Sequence, residues 1–232
     1  MRPPANRIIR YEGVSLDTEI GPEHAQHLER IKAHVERHIG PVSRIIHEVF
    51  SKYVGVDILH VEPTASRVFH VLVTSGMSDR PMSAPAGAED CCYAELSVCL
   101  PPDWPVTSAD LKDERNYWPF RLLQTLARMP HVFGSWLWAF HTVPNFDPAE
   151  PYSKDTTLCG AMLVPSIRLP QEFAELEIGA GKQICFFDVL PLHADEMKYK
   201  VENGAEALLD HFDRAKHKGL IAPGRPSVLP AP

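Results

Sequence analysis

His27, His34 and His38 lie in EHAQHLERIKAHVERHI, a run whose apolar residues Leu28, Ile31, Val35 and Ile39 recur at helical spacing. At about 100° per residue the three imidazoles fall within roughly 40° of one another on the helix wheel. His34 and His38 also have the i, i+4 separation that zinc-binding helices use. The text between them is HVERH, however, not HExxH. Glu36 is turned about 200° away from His34 and cannot serve as the base of a metalloprotease. The expected role of the three histidines is the polar flank of an amphipathic helix, with a metal held on that face as the alternative.

A second chemistry is suggested by TSGMSDRPM, residues 74–82. Ser78 follows a β-branched run, VFHVLV, where some hydrolases hold a nucleophile at a tight strand exit. A nucleophilic serine needs a base and an orienting group, and His131 and His141 are the available imidazoles. The text is not G-x-S-x-G, and no helix is indicated after it. The simpler expectation is a structural loop, in which Gly76 supplies an unusual backbone conformation and Ser78 and Asp79 bond the loop's own amides. His141, at the end of SWLWAFHTV, is either a satisfied, partly buried group or a reader of ligand polarity. Asp195-Glu196 suits a helix N-terminus, and GAGK at 179–182 precedes a strand, the wrong order for a phosphate loop.

The elements that must position these residues follow from periodicity and punctuation. Helices are expected over 23–39, over NYWPFRLLQTLARMP with Pro130 beyond its end, and over HADEMKYKVENG and AEALLDHFDRA, separated by Gly204. Strands are expected at VGVDILHVEP, VFHVLVTS, CCYAELSVCL, SWLWAFHTV, LCGAMLVP and KQICFFDVL, while IIHEVFS is ambiguous. Alternation along SWLWAFHTV would put Trp136, Trp138 and Phe140 on one face and Leu137, Ala139 and His141 on the other. Strands without regularly alternating helices point to an α+β fold: one mixed, mainly antiparallel sheet packed with helices. The expected organisation is an irregular arm at 1–20, a single domain at 21–220 and a Pro-rich tail at 221–232.

The 232 residues carry 23 Lys plus Arg against 30 Asp plus Glu, a net −7 with no basic aromatic cluster, which argues against nucleic-acid binding. The first residues lack a signal peptide's apolar core, and no run is apolar enough to span a bilayer, so a cytoplasmic protein is expected. Five cysteines without CxxC spacing read as reduced thiols. No cofactor or metal is implied.

Several fragments, in order, resemble the suppressor of fused family in its compact bacterial form: FHVLVTSGMSDRPM, ELSVCLPPDW, YWPFRLLQTLARMPH, SWLWAFHTVPN and FFDVLPLHADEMKYKVENGAEALL. They cover roughly residues 45–212. The matching positions include Gly76, Met77, Ser78, Trp104, Trp118, Pro119, His131, His141, Thr142, Glu196 and Met197. Phe140 departs from the small residue that many bacterial members place before the histidine, which would narrow any groove there. The resemblance implies a mixed α/β domain without enzymatic activity that binds a protein, and for bacterial members an immunity protein that blocks a toxin. A net −7 suits a basic toxin. The longer animal relative holds an extended peptide between two lobes, and the second lobe is not expected here. The partner, a toxin or an extended peptide added to a sheet edge, is expected to meet Ser78, Asp79, Trp118, His131, Phe140, His141 and Thr142. A hydrolase using Ser78, a metal enzyme using the His27/His34/His38 face, and an assembly subunit are the competing expectations.

Overall fold

The structure is a computed structural model describing residues 23–47, 54–179 and 181–230. The expected arm at 1–20 and most of the ambiguous IIHEVFS stretch lie outside the described residues. In chain order the elements are α1 (Glu23–His38), β1 (Val42–Ile46), β2 (Asp57–Val61), β3 (His70–Ser75), β4 (Ala94–Leu100), α2 (Glu114–Phe133), β5 (Thr142–Pro144), β6 (Gly160–Pro165), β7 (Glu175–Glu177), β8 (Gln183–Leu192), α3 (Ala194–Asn203) and α4 (Ala205–Arg214).

The strands form one sheet in the order β1-β2-β3-β4-β8-β6-β5, with β7 paired to the start of β8. Every pairing is antiparallel except the central β4–β8 pair, which is parallel. Every residue of β2, β3 and β4 is buried, because helices cover both faces. One face packs on α2: Ile58, Leu72, Leu96, Val98, Leu163 and Val189 meet Phe120, Leu123 and Leu126. The opposite face is shared. Leu59, Val71, Val73 and Phe186 receive the apolar stripe of α1, and Met162, Val164, Leu190 and Leu192 receive Leu208 and Phe212 of α4. Each such side chain contributes roughly 1.5–3 kcal/mol by leaving water. This is the expected α+β arrangement.

Four details differ from the sequence expectation. SWLWAFHTV is not a strand: only Thr142–Pro144 is extended, as β5. The reason is Phe140, whose φ of 67° no strand allows, together with a turn in which the His141 N–H donates to Trp138 O. Aromatic packing holds the irregular stretch, since Trp136 stacks on Trp138 (5.8 Å, 16°) and meets His141 edge-on (4.9 Å). The second difference is α2, which continues through Pro130 to Phe133 and stops at the left-handed Gly134, whose N–H donates to Pro130 O. Proline removes one helical hydrogen bond there without ending the helix. The third is a pair of short strands, β1 and β7, that the sequence did not announce. The fourth is the tail, which is anchored: Ile221 N–H donates to Cys99 O, and Ile221 is buried.

Two buried imidazoles tie β1, β2 and β3 together. His60 Nε2 and His70 Nδ1 are 2.9 Å apart, and His70 Nε2 donates to Pro102 O at 3.2 Å. Burial, then the neighbouring His70, Arg44 and Arg67, pushes His60 down to about 4, and burial also lowers His70. A base whose folded pKa lies below its ordinary value of 6.5 stabilises the fold above 6.5 and loses that contribution as pH falls to about 4. Chemical denaturation measured from pH 7 to pH 4 is therefore expected to show falling stability. The His60→Gln variant, which cannot take up that proton, is expected to flatten the curve.

Candidate functional site

The exit of β3 is organised by a carboxylate. Glu95, the second residue of the otherwise mostly apolar run AELSVCL, is fully buried. Its Oε1 accepts the N–H of Gly76 (2.9 Å), the N–H of Ser78 (2.9 Å) and the hydroxyl of Ser78 (2.6 Å). Oε2 accepts the Thr74 hydroxyl at 2.6 Å, and Thr74 Oγ1 in turn accepts the Leu96 N–H. Burial raises the Glu95 carboxyl above its usual range, and the hydroxyl and amide donors oppose the rise. Gly76 is required on two counts: its φ is 130°, and a Cβ would lie 2.0 Å from Gly55 O. The loop is thus clamped from inside by Glu95 and from outside by the Gly55 backbone.

This arrangement commits Ser78 to the loop. Ser78 is buried and spends its hydroxyl on Glu95, while His131 Nε2 donates to Met77 O at 2.8 Å. Catalysis by a serine needs a free base and a path for substrate; the carboxylate beside Ser78 is taken up by three further donors, and the serine itself is buried. Asp79, one residue on, accepts from His24 Nδ1 (2.6 Å) and His27 Nδ1 (2.9 Å), which docks α1 onto the loop. His24 also reaches Asp57 at 3.3 Å; these two carboxylates raise it to about 10 against the effect of burial.

The histidine face of α1 does not converge on a metal. His27 points to Asp79, whereas His34 Nε2 donates to Phe173 O at 3.1 Å and its ring stacks on Phe173 and Phe186. Among the described residues no group of three His, Cys, Asp or Glu side chains is placed to hold an ion.

The residues expected to meet a partner divide into two sets. Ser78, Trp118 and His131 are interior: Trp118 stacks on Tyr152 (5.2 Å, 6°) and meets Trp104 edge-on. Their contacts in this structure are with the scaffold, and Asp79 joins that scaffold to α1. Phe140, His141 and Thr142 lie elsewhere, at the β5 edge, separated from β3 by β4, β8 and β6. The chain after the β3 exit meets the start of the SWLWAFHTV segment, where Ser83 N–H donates to Ser135 O.

The β5 edge is the more accessible site. Phe140 is 37% exposed and Phe146, just beyond the strand, is 65% exposed. Both have left-handed backbones, with φ of 67° and 71°. The Phe140 N–H donates to Leu163 O and the Leu163 N–H to His141 O, which fixes the edge in place. His141 Nδ1 accepts the Trp138 N–H at 3.3 Å; burial keeps His141 below the ordinary imidazole range, and the Lys200 charge lowers it further. Thr142 turns its hydroxyl inward, where it has no hydrogen-bond partner among the described residues. Sequence reasoning missed Glu95, Phe146 and Lys200. Glu95 had a signal, an acid inside an apolar strand; the other two had none.

The profile described as suppressor of fused protein (SUFU) matches residues 52–226. The chain belongs to the suppressor of fused protein family. Solved structures with the suppressor of fused fold align over most of its length. The putative suppressor of fused homologue from Neisseria gonorrhoeae has a TM-score of 0.63 at 16% identity, covering 90% of this chain and 100% of that one. A protein solved as the Sufu–Fu complex has a TM-score of 0.61 at 13% identity, covering 87% and 92%. Drosophila Suppressor of Fused has a TM-score of 0.62 at 14% identity, covering 87% of this chain and 51% of the fly protein, about half its length. None of the curated proteins matches. Among the described residues no helix is long and apolar enough to cross a membrane.

Replacing Glu95 by Gln turns an amide donor toward groups that need an acceptor. The expected cost is about 2–4 kcal/mol of folding stability, measured by urea denaturation, because buried donors lose a charged partner. Ser78→Ala removes only one of the four donors and is expected to cost about 1 kcal/mol.

Proposed function

We propose that this suppressor of fused family member is a non-catalytic protein-binding module that receives its partner along β5, and that it acts as an immunity protein blocking a toxin. The observation that carries the reading is the pair of exposed phenylalanines, Phe140 and Phe146, on either side of an edge strand and both held at positive φ. A non-glycine residue in that region costs about 1–2 kcal/mol, and such strain persists where the surroundings impose it, often at binding sites. Val201 on α3, 49% exposed, is a further large apolar side chain left open to water. Exposed apolar groups beside an unpaired strand edge suit an extended segment that adds as a further strand, with main-chain bonds for affinity and side-chain pockets for selectivity. The relative solved as the Sufu–Fu complex supports partner binding as the family's mode of action.

The test uses the purified product of an adjacent toxin-like gene, mixed with this chain and followed by size-exclusion chromatography and by toxin activity. A stable complex and loss of toxicity are expected. Phe140→Gly should relieve backbone strain while giving up side-chain contact. Folding stability is expected to stay level or rise by up to about 1 kcal/mol, since glycine's added chain entropy offsets part of the gain. Affinity is expected to fall about tenfold or more. No complex with that product, or a complex indifferent to both Phe140→Gly and Phe146→Ala, would count against the reading.

A further inference from the structure

We propose that Lys200 binds a carboxylate presented by an extended partner segment on β5, a specificity that rests on the edge-docking reading above. Lys200 is 8% exposed, and its ammonium has neither an acid nor a hydrogen-bond acceptor among the described residues, so burial alone governs its charge. It belongs to α3, which lies against β6 through Met197: an added Cβ at Gly160 would be 2.0 Å from the Met197 sulfur. Gly160 pairs with Pro144 and Met162 with Thr142. Lys200, one turn beyond Met197, is therefore carried along the strand toward His141 and Thr142, and its charge acts on His141.

The register then defines what the lysine meets. Thr142 and Pro144 share the face of β5 covered by α3, so a partner residue paired opposite Thr142 projects onto that same face, toward Lys200. An aspartate or glutamate at that one position, flanked by apolar residues for Phe140 and Val201, completes the site. The lysine gains a charge-assisted hydrogen bond that the described residues do not supply. Its low exposure makes the bond stronger than a surface pair. Neutral His141 offers no counter-charge. An ammonium with no partner among the described residues, on a side chain only 8% exposed, is a poor building block for a scaffold, which favours a binding role for it.

The test is selection of a displayed library of random ten-residue peptides on the wild-type chain, Lys200→Met and Lys200→Glu. Wild-type binders are expected to concentrate Asp or Glu at a single position. Lys200→Met should bind those peptides about tenfold or more weakly, and Lys200→Glu should shift the preference to Lys or Arg. Lys200→Met should also raise the melting temperature by about 2–4 °C, because the stem is kept while the unpaired charge is removed. Binders that Phe140→Gly weakens but that carry no acidic position would overturn the role of Lys200 and leave the edge reading intact. A lower melting temperature for Lys200→Met would overturn it as well, marking the lysine as scaffold. A library yielding no binder sensitive to Phe140→Gly would remove the edge reading itself, and this proposal with it.

Discussion

A carboxylate sealed inside a protein is costly unless donors surround it, and Glu95 receives two amides and two hydroxyls. Much of the molecule is arranged through it. The loop it closes presents Met77 O to His131 near the end of α2, and Asp79 to the imidazoles of α1. The chain leaving the loop bonds Ser135 through Ser83, which starts the aromatic segment that ends at β5. Helices on opposite faces of the sheet are thereby referred to one fixed point. Serine, histidine and aspartate occur here in the residue types of a hydrolase, but their hydrogen bonds are already committed to holding shape.

The two edges of the sheet are treated differently. β1 is bulged between Val42 and Arg44, and such irregularity discourages a neighbouring strand from pairing. β5 is only three residues long and ends in Pro144, yet exposed aromatic side chains frame it. A short strand of this kind pairs with a short segment and resists open-ended stacking. Its flanking residues carry backbone strain that a free solvent-facing loop has no need to keep.

Most of the fold was legible because strong local signals agreed with the tertiary outcome. The stripe Leu28, Ile31 and Val35, the apolar runs of β2 to β4, β6 and β8, and the Gly204 break between α3 and α4 all appear where the sequence put them. The failures share a cause, namely tertiary packing overriding local preference. SWLWAFHTV has strand composition, but stacking of Trp136 on Trp138 and the left-handed Phe140 fold it into an irregular turn. Pro130 looks like a stop, yet the helix continues past it because its C-terminal turn is anchored by His131 bonding Met77 and closed at Gly134. Of the candidate site, His141 was expected at the end of a strand, whereas the structure sets it in the turn that leads into β5. Lys200 carried no signal, since nothing in ADEMKYKVEN distinguishes one lysine from its neighbours before α3 is laid against β6.

The parallel β4–β8 pair has a bearing on how the chain acquires its shape. Ser97 and Asp188, joined at 2.5 Å in the middle of the sheet, are 91 residues apart in sequence. The meander from β1 to β4 can form from neighbouring segments, but its inner border stays unpaired until residues 183–192 arrive. Closing so long a loop is slow compared with hairpin formation. During synthesis the first half of the molecule therefore waits with a row of open amides and carbonyls along β4, the stage at which this chain is most exposed to misassembly.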